Sequence, residues 1–393
     1  MGILMVIGMD AIKAKLILED GSEFAGFSFG KARPVCGEVV FTTGMTGYPQ
    51  ALTDPSFYGQ ILVATYPLVG NYGIPAKPDG GAFFDENRLP LYFESERPHV
   101  AAFIVAENCE QPSHYDARLT LAAWLEKNNV PALCGVDTRA ITKRLRSRGV
   151  MRGTVLIEGE GAAAGTPDAA LPLSAGTLDA GHQVAAGSHQ VAAVSCTELV
   201  RYRVPGGGKA PRIVLVDCGV KANILRCLLA GGAELIRVPW DYDIAGLEYD
   251  GLFLSNGPGD PKACGKTIAA LRRAFARGKP VFGVCLGVQI MALAAGADTY
   301  KLPYGHRSAN QPCIEKGSGR CYITSQNHGY AVRAETLPAD WEVWFTNAND
   351  GTVEGIRAKN APFSAVQFHP EGCPGPRDTE FLMRQFLERA ASA

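Results

Sequence analysis

The sequence predicts an α/β protein: a C-terminal, mostly parallel sheet with helices on both faces, preceded by a mixed α+β, β-rich N-terminal domain. Three observations carry this. From residue 212 onward, short apolar runs alternate with helical segments, the pattern of strands covered on both faces. Residues 159–195 are dominated by Ala, Gly, Ser and Thr, leave little to bury, and read as a connecting segment. Before them lie short β-like pieces separated by turns such as Asp20-Gly21. The expected division is therefore a domain over 1–158, a linker over 159–211 and a second domain over 212–393.

In the first domain, strands are expected at 15–18, 38–41, 61–65 and 100–105. A helix over 118–128 and a basic one over 138–148 follow. The basic helix carries Arg139, Lys143, Arg144, Arg146 and Arg148, and reads as a solvated or partner-facing surface. Pro205-Gly206-Gly207-Gly208 punctuates the entry to the second domain. There a strand over 212–216 leads to a helix over 222–230, then strands over 234–238 and 251–254. A helix over 266–277 precedes a strand over 281–284 and an apolar helix over 288–295. Further strands are expected at 320–323, 342–346 and 363–368.

At 393 residues the chain has room for two cores, and 47% apolar with 20% charged residues is ordinary globular composition. A formal net charge of −1 gives no electrostatic case for nucleic acid or an anionic membrane. The 11 cysteines are scattered without a C-x-x-C pair, so neither a disulfide framework nor a metal site is expected, and a cytoplasmic location is. Residues 1–9 are apolar but lack a basic leading region, so neither a signal peptide nor a membrane span is expected.

The chemistry concentrates in Gly283-Val284-Cys285-Leu286-Gly287. A nucleophile between small residues on a strand-turn-helix is the elbow geometry of hydrolases, here with sulfur in place of oxygen. The Leu286 N–H, opening the helix, would face a developing oxyanion. Phe368-His369-Pro370-Glu371-Gly372 supplies the rest. Residues i and i+2 of an extended segment face one side, so His369 and Glu371 can both reach one site, with the carboxylate fixing the ring's tautomer. An imidazolium and a helix N-terminus both favour a thiolate. Ser255-Asn256-Gly257-Pro258-Gly259-Asp260 follows a strand and offers backbone N–H groups to an anion, or is an ordinary turn. It lacks a G-K-[ST] ending, so nucleotide binding is rejected there. Gln326-Asn327-His328-Gly329-Tyr330 reads as a polar loop, or as a reader of α-amino and α-carboxylate groups. His328 is a rival base, ranked below His369 because no carboxylate adjoins it.

Together these residues resemble a class I glutamine amidotransferase domain, with Cys285, His369 and Glu371 at the triad positions. The first domain narrows the resemblance. Phe41 to Tyr48, Leu52-Thr53-Asp54-Pro55, Thr65 to Asn71 and Val136-Asp137-Thr138-Arg139 are similar to the small (glutaminase) subunit of carbamoyl-phosphate synthetase. The resemblance implies hydrolysis of L-glutamine through a cysteinyl thioester. The ammonia would pass to a large subunit making carbamoyl phosphate, for arginine or pyrimidine biosynthesis. It implies glutamine contacts from Gly257, Gly259, Leu286, Gln289, Asn327, Gly329, Tyr330 and Gly44. It also implies no cofactor on this chain, with ATP and Mg on the large subunit. Two positions depart from the pattern. Val288 stands where many members carry histidine, and Gly44 where some carry a glutamine-contacting serine. Two other classes compete: a stand-alone cysteine hydrolase of γ-glutamyl amides, and a non-catalytic scaffold.

Overall fold

The computed structural model describes residues 11–158, 190–203 and 210–393. The extreme N-terminus, most of the expected linker and the Pro205–Gly208 punctuation lie outside them. The described residues form two compact units. The first takes the described residues within 11–52, 59–83 and 97–158; the second takes Thr53–Tyr58 and Phe84–Glu96 as well as the described residues from 190 onward. Two short pieces of the expected first domain therefore belong to the second unit, a departure from a boundary at 158.

The first unit contains strands β1 (Lys13–Leu18), β2 (Glu23–Ser28), β3 (Val35–Thr42), β4 (Gln60–Ala64), β5 (Leu68–Val69), β6 (Ala102–Ile104), β7 (Glu107–Asn108), β8 (Ala132–Cys134) and β9 (Met151–Ile157). All but β5 and β7 close a barrel in the order β1-β2-β8-β6-β4-β3-β9. Leu16, Val39, Ile61, Phe103, Leu133 and Val155 are buried along it, as a closed sheet requires of its inward positions. Helix α1 (Tyr48–Thr53) follows β3, while α2 (Leu121–Lys127) and α3 (Thr138–Arg148) occupy the two segments expected to be helical. Each of these two has a side-chain N-cap, Thr120 on Ala123 N–H and Asp137 on Ala140 N–H.

The second unit is built on a 10-stranded sheet. Its members are β10 (Val200–Tyr202), β11 (Arg212–Asp217), β12 (Glu234–Pro239), β13 (Gly251–Leu254), β14 (Val281–Val284), β15 (Thr299–Glu315), β16 (Cys321–Val332), β17 (Trp341–Asn347), β18 (Val353–Ala358) and β19 (Phe363–Val366). The order is β10-β12-β11-β13-β14-β19-β18-β17-β15-β16. Pairing is parallel from β12 through β19 and antiparallel on both flanks, so the parallel sheet expected from the sequence forms the centre only. Part of the expected linker is structured too, as α4 (Gln190–Val194) and the edge strand β10.

Alternation along the central strands feeds two cores. Val214, Val216, Leu252, Leu254 and Val281 pack on the side of α6 (Gly265–Phe275) and α7 (Leu286–Ala295). Ile213, Leu215, Phe253, Phe282 and Val284 pack on the side of α5 (Ala222–Ala230) and α8 (Phe381–Ala391). Helices thus cover both faces. No helix among the described residues is long and apolar enough to cross a membrane.

Candidate active site

The nucleophile position is made by two close backbone approaches. A Cβ on Gly287 would lie 2.5 Å from the Leu254 carbonyl, and one on Gly283 would lie 2.8 Å from the Gly287 backbone. Only glycine lets α7 leave β14 that tightly. Cys285, between them, is forced to φ 57° and ψ −106°, a region that side-chain-bearing residues rarely occupy. Its N–H donates to the Val366 carbonyl at 2.8 Å, which ties the elbow to the neighbouring strand.

That neighbour delivers the expected base. β14 and β19 are parallel, with Val284 opposite Val366, so Cys285 and the Gln367-Phe368-His369 segment leave the sheet side by side at its carboxyl edge. His369 is buried, and its Nδ1 lies 2.7 Å from Glu371 Oε1. A carboxylate only accepts, so Nδ1 carries the proton and Nε2 is left for chemistry. Among the described residues Nε2 has no complete hydrogen bond. The Cys285 side chain couples to the ring, and its thiol also donates to the Asn327 carbonyl at 3.5 Å.

Glu371 does not act alone. Its Oε1 accepts from Lys221 Nζ at 3.0 Å, and Lys221 donates also to the Gly372 carbonyl at 3.2 Å. The lysine side chain is 5% exposed and the glutamate 0%, so this is an ion pair out of water. Burial works against the Glu371 carboxylate, but Lys221 and His369 overcome it and hold the group below its ordinary range. Burial likewise works against an imidazolium at 369, yet Glu371 outweighs it and raises the ring above the usual histidine range.

Lys221 is held from both sides. Asp217, at the end of β11, accepts from Gly219 and Val220 N–H at 2.8 Å each and pairs with Arg237. The Lys221 N–H donates to Asn256 Oδ1 at 3.0 Å. Helix α5 has no side-chain cap from Lys221; buried Glu94 accepts from Asn223 N–H at 3.0 Å instead. Asn223 in turn donates to the Glu371 carbonyl at 2.6 Å. Asp54 Oδ2 accepts from Asn327 Nδ2 at 2.9 Å, and Ser56 Oγ from Asn256 Nδ2 at 2.9 Å.

The expected glutamine contacts divide accordingly. Leu286 opens α7 directly after Cys285, the Asn327 carbonyl accepts from the Cys285 thiol, and Gln289 Nε2 donates to the Tyr330 carbonyl at 2.9 Å. The first N–H of a helix has no intrahelical partner, so that of Leu286 is available to an oxyanion. Gly257 lies beside the Leu286 side chain: a Cβ there would run into the Cys218 carbonyl and lie 2.9 Å from Leu286 Cδ2. Gly259 holds a φ of +90° two residues further on. Gly329 lies in β16 with the other members of the 326–330 segment, which is strand and not the expected loop. Gly44 belongs to the first unit, where its N–H donates to Thr42 Oγ1 at 3.2 Å. Val288 is fully buried in the α6–α7 core.

His328, the rival base, has both ring nitrogens engaged. Nδ1 meets the Tyr330 carbonyl at 2.8 Å and Nε2 meets Gln326 Oε1 at 3.1 Å. Burial pushes its pKa well down, so it stays neutral. Its neighbours are His306, whose Nδ1 lies 3.3 Å from the buried Glu354, and Glu354 itself. Sequence reasoning missed Lys221, Asp54, Glu94 and Gln367. The only signal for Lys221 was a lone cation just past a buried strand end.

Residues 16–155 match the family described as Carbamoyl-phosphate synthase small chain, CPSase domain, and residues 214–389 match Glutamine amidotransferase class-I. The chain is 46% identical over 374 residues to the Carbamoyl phosphate synthase small chain of Symbiobacterium thermophilum, covering 94% of this chain and 96% of that one. It is 44% identical over 392 residues to the Carbamoyl phosphate synthase arginine-specific small chain of Eremothecium gossypii, covering 97% and 92%. It is 48% identical over 379 residues to the Multifunctional protein CAD of Squalus acanthias, covering 96% of this chain but 16% of that protein. Against multifunctional proteins of this kind from Dictyostelium discoideum and Neurospora crassa, it spans 17% and 21% of their length.

Proposed function

The chain belongs to the carbamoyl-phosphate synthase small-chain family, and from that premise we propose that it hydrolyses L-glutamine at Cys285 and supplies the ammonia to a large chain that makes carbamoyl phosphate. The observation that carries this reading is the convergence of Cys285, His369 and Glu371 at the carboxyl ends of two adjacent parallel strands.

In the proposed reaction the Cys285 thiolate adds to the side-chain amide carbon of glutamine. The oxyanion is met by the Leu286 N–H and by the 257–259 turn. His369 gives its proton to the departing amine, and the tetrahedral adduct collapses to a glutamyl thioester and ammonia. His369 then takes a proton from water, which attacks the thioester and releases glutamate and the thiolate. Glu371 fixes the ring and balances its charge, and Lys221 balances Glu371. Gln289, Asn327, Gly329 and Tyr330 would hold the amino-acid end. ATP, Mg and bicarbonate are assigned to the large chain, whose product enters arginine or pyrimidine synthesis. A reducing cytoplasm suits a chain whose 11 cysteines are all free.

Replacing Cys285 by Ser tests the proposal. Glutamate release and glutamine-dependent carbamoyl phosphate synthesis should be lost, while the complex continues to use added ammonia. Retained glutamine use would overturn it. A stand-alone γ-glutamyl hydrolase would instead show no stimulation of turnover when the large chain is added.

A further inference from the structure

Gln289 lies in the first turn of α7, the helix that leaves the Cys285 elbow. Its Nε2 donates to the Tyr330 carbonyl at 2.9 Å and to Gln367 Oε1 at 3.0 Å. A carbonyl can only accept, so the NH2 end of Gln289 must face Tyr330, and Gln367 must turn its oxygen to the same nitrogen. Both N–H groups are then committed, and Oε1 is the one atom of the amide left to meet a substrate.

Gln367 is 0% exposed and leaves its own Nε2 without a hydrogen bond among the described residues. A buried amide with an unmet donor is costly to keep, and an apolar side chain would fill the same space without that cost. Its place explains the choice of residue. Directly after β19, Gln367 and His369 flank Phe368, which turns into the core on the α5–α8 side. The strand end that carries the base also carries the oxygen that orients Gln289.

Resting on the glutaminase reading, we propose that Gln367 is a positioning residue that locks the Gln289 amide with its oxygen outward, so that Gln289 accepts a hydrogen bond from a donor group of the bound amino acid. Gln367 touches no reacting atom and acts through Gln289.

The test is a double-mutant cycle on the full chain with its large chain, reading glutamate release against glutamine concentration. Gln367→Leu should raise the glutamine KM about tenfold, the worth of one neutral hydrogen bond, with kcat within about threefold. The same factor should appear in the glutamine concentration that protects Cys285 from iodoacetamide, a readout independent of turnover. Gln367→Glu, which keeps an acceptor on the same stem, should restore the KM. In a Gln289→Leu background, Gln367→Leu should add nothing further. If Gln367→Leu does not give a cooperative melt, Gln367→Asn, too short to reach Gln289, takes its place in the cycle. An unchanged KM, or an effect of undiminished size in the Gln289→Leu background, overturns the positioning role while the wild type still hydrolyses glutamine. A wild type that releases no glutamate overturns the glutaminase reading, and this proposal with it.

Discussion

Glu371 Oε1 accepts from Lys221 and His369 at once, so the lysine acts on the proposed base through a carboxylate the two share. Removing one member of a buried pair leaves an uncompensated charge and costs about 3–5 kcal/mol. Lys221→Met should therefore lower the melting temperature. It should also move the acid limb of kcat/KM to higher pH, because burial would then be opposed by His369 without Lys221, and the Glu371 carboxyl would rise. The stability term follows the same sign. The carboxyl is lowered from 4.5 to about 2, so its contribution is present above 4.5 and lost as pH falls toward about 2. An acid titration of the far-UV circular dichroism should show the variant unfolding at higher pH than the wild type; coincident curves would refute the coupling. Asp54 makes a smaller case. Asp54→Ala frees the Asn327 amide and should raise the glutamine KM several-fold with little change in kcat, read from initial rates. Cys285, His369 and Glu371 were legible because G-x-C-x-G and H-P-E are local patterns with local reasons. Lys221 was not, since its partner lies 150 residues away and nothing near it in the chain requires a cation.

Between β14 and α7, the tightness of the turn is a property of the whole element. Gly287→Ala would set a Cβ 2.5 Å from the Leu254 carbonyl, a backbone atom that cannot step aside. Helix α7 must then lift away from β13, at a cost of about 1–3 kcal/mol by analogy with overpacked cores. It would carry the Leu286 N–H and Gln289 with it. The expected outcome is a lower melting temperature together with slower alkylation-sensitive turnover; a variant with wild-type kcat would show that the elbow tolerates more slack than its geometry indicates. The elements of the central sheet were readable because strands buried on both faces are continuous apolar runs, and α5 and α3 were placed to the residue. The β15–β16 hairpin was read only at 320–323. Pro303 and Gly305 interrupt its alternation, and the pairing slips between Lys301 and His306 and again between Ser308 and Gln311. A strand with two bulges keeps no simple period, so the polar run 326–330 looked like a loop.

The molecule's division into units does not follow the order of the chain. Thr53–Tyr58 and Phe84–Glu96 lie far ahead of the second sheet in sequence but pack within its unit. What they contribute is specific. Glu94 supplies the cap that α5 lacks and pairs with Arg226, its buried carboxyl raised by desolvation against the pull of Lys221 and Arg226. Asp54 and Ser56 take the side-chain amides of Asn327 and Asn256. Composition and periodicity could not reveal this, because a capping carboxylate 129 residues from its helix leaves no local mark. A fragment beginning at residue 190 would keep every strand of the sheet and all three triad residues. It would nonetheless leave the N-terminus of α5 uncapped and Arg226 without its carboxylate, losses of about 0.5–2 kcal/mol for the cap alone. Because α5 follows Lys221 directly, fraying at that end should loosen the lysine and then Glu371. The fragment is therefore expected to melt well below the full chain and to hydrolyse glutamine poorly even where it remains folded. The full-length double variant Asp54→Ala/Glu94→Ala should reproduce most of both losses. Differential scanning calorimetry with glutamate-release assays on the three proteins decides it: a fragment as stable and active as the full chain would mean that the two early segments merely lie against a unit already complete without them.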